Sequence, residues 1–284
     1  MESKLISTTH HTAVSSRSAP FPQLQYGSTS NPPNILLQCA PRNDVRRVWV
    51  FAPAAVEAKE MANTNLLARL DAAIAERNLL NHPFYQDWQA GKLSREALQL
   101  YATQYYRHVE AFPKHLRVLA ARTEGPLRET VMENLAEEEN PEGPHPKLWR
   151  DFASALGVAE EDISCCPALP GTQTVVATFR EICGDRPVAE AVAALYAYEG
   201  QVPEIASTKI DGLKKFYGID QPEALAYFTI HEEADKAHRA AWRGWLEEHA
   251  EGNEDEIVAS AQDALNALWG ALDAVHCKKR AHVN

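Results

Sequence analysis

Apolar residues recur three and four positions apart from residue 61 of this 284-residue chain almost to its end. This spacing is typical of helices, and the two-residue alternation of a strand is absent from the pattern. Pro113 is expected to kink or break one helix, whereas Ser94 and Gly157 suit an N-cap and a C′ position. The pattern predicts an all-α bundle of seven or eight helices, with helical segments at 66–80, 95–112, 126–140, 145–157, 171–184, 187–217 with a bend at Pro203, 221–250 and 255–276.

The first 60 residues have a different composition. They are rich in Ser, Thr, Pro and Asn and have no helical or strand period, which favours a disordered extension. Their Ser-rich, acid-poor character also resembles an organelle transit peptide, and a mis-assigned start is the preferred alternative. Met61 is followed by ANTNLLARLDAAIAE, which resembles the capped start of a first helix. The functional domain is therefore predicted to span residues 61–284.

Composition excludes several classes of function. The formal net charge of −11 argues against nucleic acid as a partner, because phosphate binding needs clustered Lys and Arg. No apolar run approaches the ~18–20 residues of a membrane span. The cysteines lack the spacing of a disulfide framework, which predicts a reduced, cytoplasmic protein; they are Cys39, Cys165, Cys166, Cys183 and Cys277.

The segment HEEADKAH, residues 231–238, is the first candidate metal site. At 100° per residue, His231, Asp235 and His238 fall within an arc of about 60° on one helix face. Two imidazoles and a carboxylate suit iron, manganese or zinc. A solvated polar face is the alternative, but Tyr227 and Trp242 place apolar residues beside the same stripe.

Further candidate ligands lie earlier in the chain. Glu199 stands in an otherwise apolar and aromatic helix, where a lone acid requires a partner such as an arginine or a cation. Glu138 and His145 flank a predicted helix break at Pro141 and Gly143-Pro144, which would let both side chains enter one cavity. A solvated helix end is the alternative for this acidic segment.

Together these residues form a predicted set of six ligands. They are Glu138, His145, Glu199, His231, Asp235 and His238. Six ligands exceed the ~4 that a structural zinc takes. They suit two iron or manganese ions that keep open positions for O2.

Four segments, in this order, resemble the CADD family, the chlamydial proteins associating with death domains: HPFYQDWQAGKLS, YATQYYRHVEAFPKHL, NLAEEENPEGPHPKLW and HEEADKAH. The resemblance runs from about residue 61 to near the C-terminus. It implies a seven-helix, haem-oxygenase-like fold that is shared with TenA and PqqC proteins. The family's metal pattern, Glu-x6-His, a later Glu and His-x3-Asp-x2-His, is matched without substitution.

The same resemblance implies an activity. CADD-like proteins are thought to use O2 at a di-iron or manganese–iron centre to make para-aminobenzoate for folate synthesis. A tyrosine of the chain supplies the ring and a lysine the amino nitrogen; these residues fall on Tyr85, Tyr101 and Lys209. Family bundles often dimerise, so a homodimer is also implied. Core packing explains the tyrosines equally well from sequence alone.

Three other functions stay open from the sequence. The oxidase could act on an external amine, amino acid or fatty acid, or the bundle could be a non-catalytic interaction module. A TenA-type thiaminase needs an activated cysteine, and no cysteine has a base beside it in sequence. His108 and His115 are taken as ordinary helix residues and are left out of the site.

Overall fold

The computed structural model describes residues 53–250 and 253–281, with side chains described for 65–250 and 253–277. Every regular element in these ranges is helical. A 3-10 turn, Leu79–Asn81, separates the first two α-helices. The helices are α1 (Pro53–Glu76), α2 (Pro83–Gln89), α3 (Arg95–Ala120), α4 (Gly125–Glu138), α5 (His145–Ala155), α6 (Glu160–Cys165), α7 (Pro170–Asp185), α8 (Val188–Glu199), α9 (Val202–Phe216), α10 (Pro222–His249) and α11 (Glu254–Ala281).

The all-α prediction is confirmed, and two predicted caps have the expected geometry. The Ser94 side chain accepts a hydrogen bond of 3.2 Å from the backbone N–H of Ala97 at the start of α3. Gly157 follows α5 with a φ of 80°, a left-handed conformation that glycine adopts without strain. Local capping chemistry therefore sets these two helix ends.

The predicted first helix is wrong in its bounds. It begins at Pro53 rather than after Met61, and it ends at Glu76 rather than at residue 80. Asn78 accepts from the N–H of Leu80, and His82 caps α2, so a turn interrupts the apolar pattern. The short helices α2 and α6 were not predicted. Predictions that concern residues 1–52 lie outside the described residues.

The predicted break at Pro113 is also wrong, because α3 continues through it to Ala120. Proline has no N–H, so the carbonyl of Val109 loses its usual helix partner. Buried side chains on both sides of Pro113, including Phe112 and Leu116, hold the helix against the core. Burial of each such side chain contributes about 1.5–3 kcal/mol to the stability of the fold. The sum over these side chains outweighs the loss of one hydrogen bond.

Three long helices organise the bundle. Helix α3 packs against α4, α5 and α7. Helix α10 packs against α5, α8 and α9, whereas α11 packs against α7 and α8. Within the described part of the chain, none of the helices has the length and hydropathy needed to cross a bilayer. α10 thus lies beside the helices that hold the other predicted ligands.

Candidate metal centre

The six predicted ligands come together in two groups of three. The first group is Glu138, His145 and His231, and the second is Glu199, Asp235 and His238. Within each group the candidate ligand atoms lie within 4.8 Å of one another. All six residues are at most 9% exposed. The first group offers two imidazoles and one carboxylate, and the second offers one imidazole and two carboxylates. Two neighbouring sites of this kind suit two transition-metal ions.

Local helix geometry brings these groups together. His231, Asp235 and His238 occupy the buried face of α10, whereas Glu233 and Lys236 form an exposed ion pair of 2.8 Å. α4 ends at Glu138 and α5 begins at His145, so the predicted helix break lies between these two ligands. The interpretation of HEEADKAH as a solvated face therefore applies only to its outward residues.

Hydrogen bonds orient two of the histidines. His231 Nδ1 lies 2.5 Å from the carbonyl oxygen of Tyr227, which leaves Nε2 for a metal. His238 Nδ1 lies 3.1 Å from Asp235 Oδ1 and 3.5 Å from Glu199 Oε2, and its Nε2 lies 3.4 Å from Glu137 Oε2. Each ring thus turns one nitrogen to the ligand cluster and the other to an outer acceptor.

Glu199 has neutral partners instead of an arginine. The Asn134 amide donates to both of its oxygens, at 3.0 and 3.1 Å, and the Trp242 indole N–H donates at 2.7 Å. No lysine or arginine of the described residues forms an ion pair with Glu199. The basic side chain beside this buried carboxylate is instead the candidate ligand His238, whose Nδ1 lies 3.5 Å from Glu199 Oε2.

Several features of the cluster fit bound cations. Burial raises the pKa of Glu138 to about 8, and the nearby charge of Asp235 adds to the increase. Asp235 Oδ2 and His145 Nδ1 are buried without a hydrogen-bond partner, although Glu138 Oε2 lies 3.0 Å from that nitrogen. Close, unpaired donor atoms of this kind are what a shared metal ion satisfies.

A cavity lies between α2, α3, α7, α8, α9, α10 and α11 and reaches the candidate ligand His231. Its wall includes His231, Tyr85, Tyr101, Tyr105 and Lys209. The Lys209 Nζ lies 5.6, 5.2 and 5.3 Å from the ring centres of Tyr85, Tyr101 and Tyr105. The hydroxyls of Tyr85 and Tyr101 are 3.4 Å apart. The three residues implied by the resemblance thus meet in one place.

Lys209 is 4% exposed and has no carboxylate partner in the described part of the chain. Burial lowers the pKa of its amine to about 7. Its position on α9 follows from close packing, because a Cβ added at Gly212, one turn further on, would lie 2.5 Å from Trp88 Nε1 of α2. A near-neutral amine is therefore fixed against tyrosine rings.

The sequence did not reveal Asn134, Trp242, Glu137 or the Tyr105–Tyr198 hydroxyl pair at 2.8 Å. Each of these residues contacts a partner on another helix. Pairs of this kind have no characteristic spacing in the sequence that would reveal them. Among the described cysteines, burial raises the pKa of Cys183 to about 12, and Cys165 and Cys277 are exposed.

Replacing Trp242 by phenylalanine is expected to weaken metal binding about 10–100-fold, since outer partners of a ligand contribute that much. The change removes the indole N–H that fixes Glu199 while keeping a buried ring. A metal titration of the purified variant measures the effect. Trp245→Phe, on the same helix but without a bond to a ligand, is the matched control, and equal affinity in both variants would disprove the positioning role.

Comparisons with known proteins identify the family of this chain. Residues 99–269 match a family model described as iron-containing redox enzyme. The chain is 41% identical over 228 residues to a Nitrosomonas europaea protein named 4-aminobenzoate synthase. The match covers 76% of this chain and 93% of the relative. A Chlamydia trachomatis protein of the same name is 39% identical over 211 residues, covering 74% and 91%.

A solved structure supports the fold. The chain superimposes on a CADD-like protein of unknown function from Nostoc punctiforme with a TM-score of 0.62 and 19% sequence identity. The match covers 77% of this chain and 98% of the neighbour. At this identity the likeness concerns the fold alone, and it confirms the predicted haem-oxygenase-like architecture.

Proposed function

The chain belongs to the iron-containing redox enzymes, and we propose that it makes 4-aminobenzoate from its own side chains with O2 as the oxidant. In this proposal Tyr85 or Tyr101 supplies the aromatic ring and Lys209 supplies the amino nitrogen. The two relatives named 4-aminobenzoate synthase support the product. Membership of a redox enzyme family favours an enzyme over a non-catalytic interaction module.

The observation that best supports this proposal is the position of Lys209. Its amine lies over two tyrosine rings in a cavity whose wall also contains the metal ligand His231. A buried lysine without a carboxylate partner is costly, so its presence calls for a reason other than stability. An amine with a pKa near 7 is largely the neutral, nucleophilic form at physiological pH.

The atoms of tyrosine match those of the product. 4-Aminobenzoate has a carboxylate and an amine at opposite positions of one ring, as tyrosine has its methylene and hydroxyl. The conversion requires that the Cα–Cβ bond breaks and that Cβ is oxidised to the carboxylate. It also requires that the Lys209 nitrogen replaces the phenol oxygen and separates from its own Cε.

The size of the cavity argues against an external amine, amino acid or fatty acid as the substrate. The cavity measures about 40 Å³. A cavity of roughly 150 Å³ holds benzene. The smaller space beside Lys209 favours the rings of Tyr85 and Tyr101, which already form the wall, over a ring or chain from solution.

The ligand set defines what the chain contributes to catalysis. Glu138, His145 and His231 would hold one ion, and Glu199, Asp235 and His238 the other, as two irons or as manganese and iron. When bound, such a centre activates O2 for oxidation. Asn134 and Trp242 hold the carboxylate of Glu199 in place for the ion of its group.

The mass of the chain before and after exposure to O2 tests the proposal. The iron-loaded protein is expected to lose one tyrosine side chain and the side-chain nitrogen of Lys209 while it releases 4-aminobenzoate, and peptide mapping would assign the tyrosine loss to Tyr85 or Tyr101. An unmodified chain that still makes product from a small molecule would replace self-modification by the external-substrate reaction.

A further inference from the structure

The cavity has a second polar side chain, His108, that the proposed chemistry does not use. His108 is 0% exposed, and neither of its ring nitrogens has a hydrogen-bond partner in the described part of the chain. The rings of Tyr105, Phe179 and Tyr198 surround it at 5.5, 5.0 and 5.1 Å. Each unpaired buried polar atom costs about 1–3 kcal/mol, so the imidazole requires a polar molecule in the cavity.

Water fits this cavity. About 40 Å³ accommodates roughly three water molecules, at ~10–15 Å³ each. A buried water needs two to four polar partners. His108 supplies such partners at one side and Lys209 at the other, and both lie against the ring of Tyr105, at 5.5 and 5.3 Å. Water in this space would therefore connect the amine of Lys209 with His108.

Unpaired polar atoms continue from His108 toward the surface. His115 follows seven residues later on α3, which places it on the same face about 10 Å further along. Its Nε2 is buried without a partner, and the residue is 4% exposed beside the exposed Lys114 and Arg180. Between the two histidines, Pro113 deprives the Val109 carbonyl of its helix partner.

We infer that His108 and His115, bridged by buried water, form a relay that exchanges protons between the Lys209 cavity and solvent. The inference rests on the proposed function, because the proton in question is the one that the Lys209 ammonium must lose. That N–H bond breaks, the proton reaches one nitrogen of His108, and the proton on the other nitrogen moves on to His115 and solvent. Each imidazole ends neutral with its tautomer inverted.

The neutral state of both rings suits this role. Burial lowers the pKa of His108 to about 3 and that of His115 to about 4. A neutral imidazole has one acceptor and one donor nitrogen, so it can accept and release a proton without holding a charge in the apolar interior.

The rate at which the His108 ring N–H exchanges with water tests the relay without the need for turnover. The full chain is nitrogen-15 labelled in histidine, loaded with diamagnetic Zn²⁺, and studied by water-saturation transfer. His82 is the internal control, because it is also 0% exposed but pairs with the N–H of Phe84 and with Asp273. Without a path, a buried N–H exchanges only through local opening, at least about tenfold more slowly.

The expected result is that His108 exchanges at least about tenfold faster than His82. The variants His115→Phe and His115→Leu are both expected to slow His108 by a similar factor and to leave His82 unchanged; two variants guard against misfolding of one. Exchange of His108 as slow as that of His82, or exchange that is unaffected in a folded His115 variant, would overturn the relay.

An activity measurement separates this inference from the proposed function. In a chain that makes 4-aminobenzoate, His108→Phe is expected to slow a single turnover about 100-fold, as the loss of a proton-transfer group does. Addition of His115→Phe should slow it little further, because both residues lie on one path. Additive losses would contradict the relay. A wild-type chain that forms no product but shows fast His108 exchange would refute the proposed function alone.

Discussion

Asp235→Asn is expected to remove one of two bound metal ions and to abolish 4-aminobenzoate formation. Asparagine keeps the size of the side chain and can still accept from His238, but it loses the charged oxygen that faces the Glu199 group. The loss of activity should exceed the roughly 10–100-fold effect of altering an outer partner of a ligand. Metal analysis per chain, with product measured after O2 exposure, checks both outcomes.

A thermal measurement adds a second result for the same variant. Free metal at 1,000 times the dissociation constant stabilises a site by about 4 kcal/mol, and Asp235→Asn should lose that gain at its own site only. Glu233→Gln is the matched control, because Glu233 lies two residues away on the exposed face of α10 and pairs with Lys236. Full metal content and activity in Asp235→Asn would refute the assignment of the ligands.

Lys209→Met is expected to make a more stable protein that releases no 4-aminobenzoate. Methionine fills the same space among the rings but has no nitrogen to donate. Removal of a buried amine without a carboxylate partner should raise the free energy of unfolding by about 1–3 kcal/mol. Denaturant unfolding measures the gain, and chromatography after O2 exposure measures the product.

The metal content of Lys209→Met should equal that of the wild type, since Lys209 belongs to neither ligand group. Lys214→Met on the same helix is the control: Lys214 is exposed, so both stability and product should be unchanged. Product formation by Lys209→Met at the wild-type level would exclude Lys209 as the nitrogen source.

The lowered pKa of Lys209 also predicts two pH courses. Only the neutral amine can attack, so the single-turnover rate should rise about tenfold per pH unit up to about 7 and then level off. In the unfolded chain the lysine pKa is about 10.4, so the native state binds fewer protons between about pH 7 and 10.4, and stability rises with pH there. The advantage of Lys209→Met should therefore be largest at or below pH 7 and vanish toward pH 10. A rate that is flat from pH 6 to 8 would contradict this role.

The clustering of the candidate ligands could be predicted in part from the sequence, because helix geometry fixes the relative positions of several of them. His231, Asp235 and His238 share one face of α10 through their spacing alone. Glu138 and His145 are placed by the end of one helix and the start of the next, and the Pro and Gly residues between them mark that boundary. Glu199 stood out as an acid in an apolar helix. The grouping of these six residues into two sites required the packing of α4, α5, α8 and α10.

The partners of the ligands and of the cavity could not be predicted. Asn134 and Trp242 are 65 and 43 residues from Glu199, and their hydrogen bonds depend on how three helices, α4, α8 and α10, pack. Lys209 has the local sequence of a surface lysine, and only its surroundings on other helices bury it. The helix break predicted at Pro113 was wrong for the same reason, because tertiary packing outweighed the local effect of proline.

The origin of the atoms in 4-aminobenzoate tests the central claim most directly. The chain would be produced with ring-labelled carbon-13 tyrosine and side-chain nitrogen-15 lysine, purified, loaded with iron, and exposed to O2 in unlabelled buffer. The account predicts a product that contains both labels, at no more than one molecule per chain. Unlabelled product, or many labelled or unlabelled molecules per chain, would contradict it.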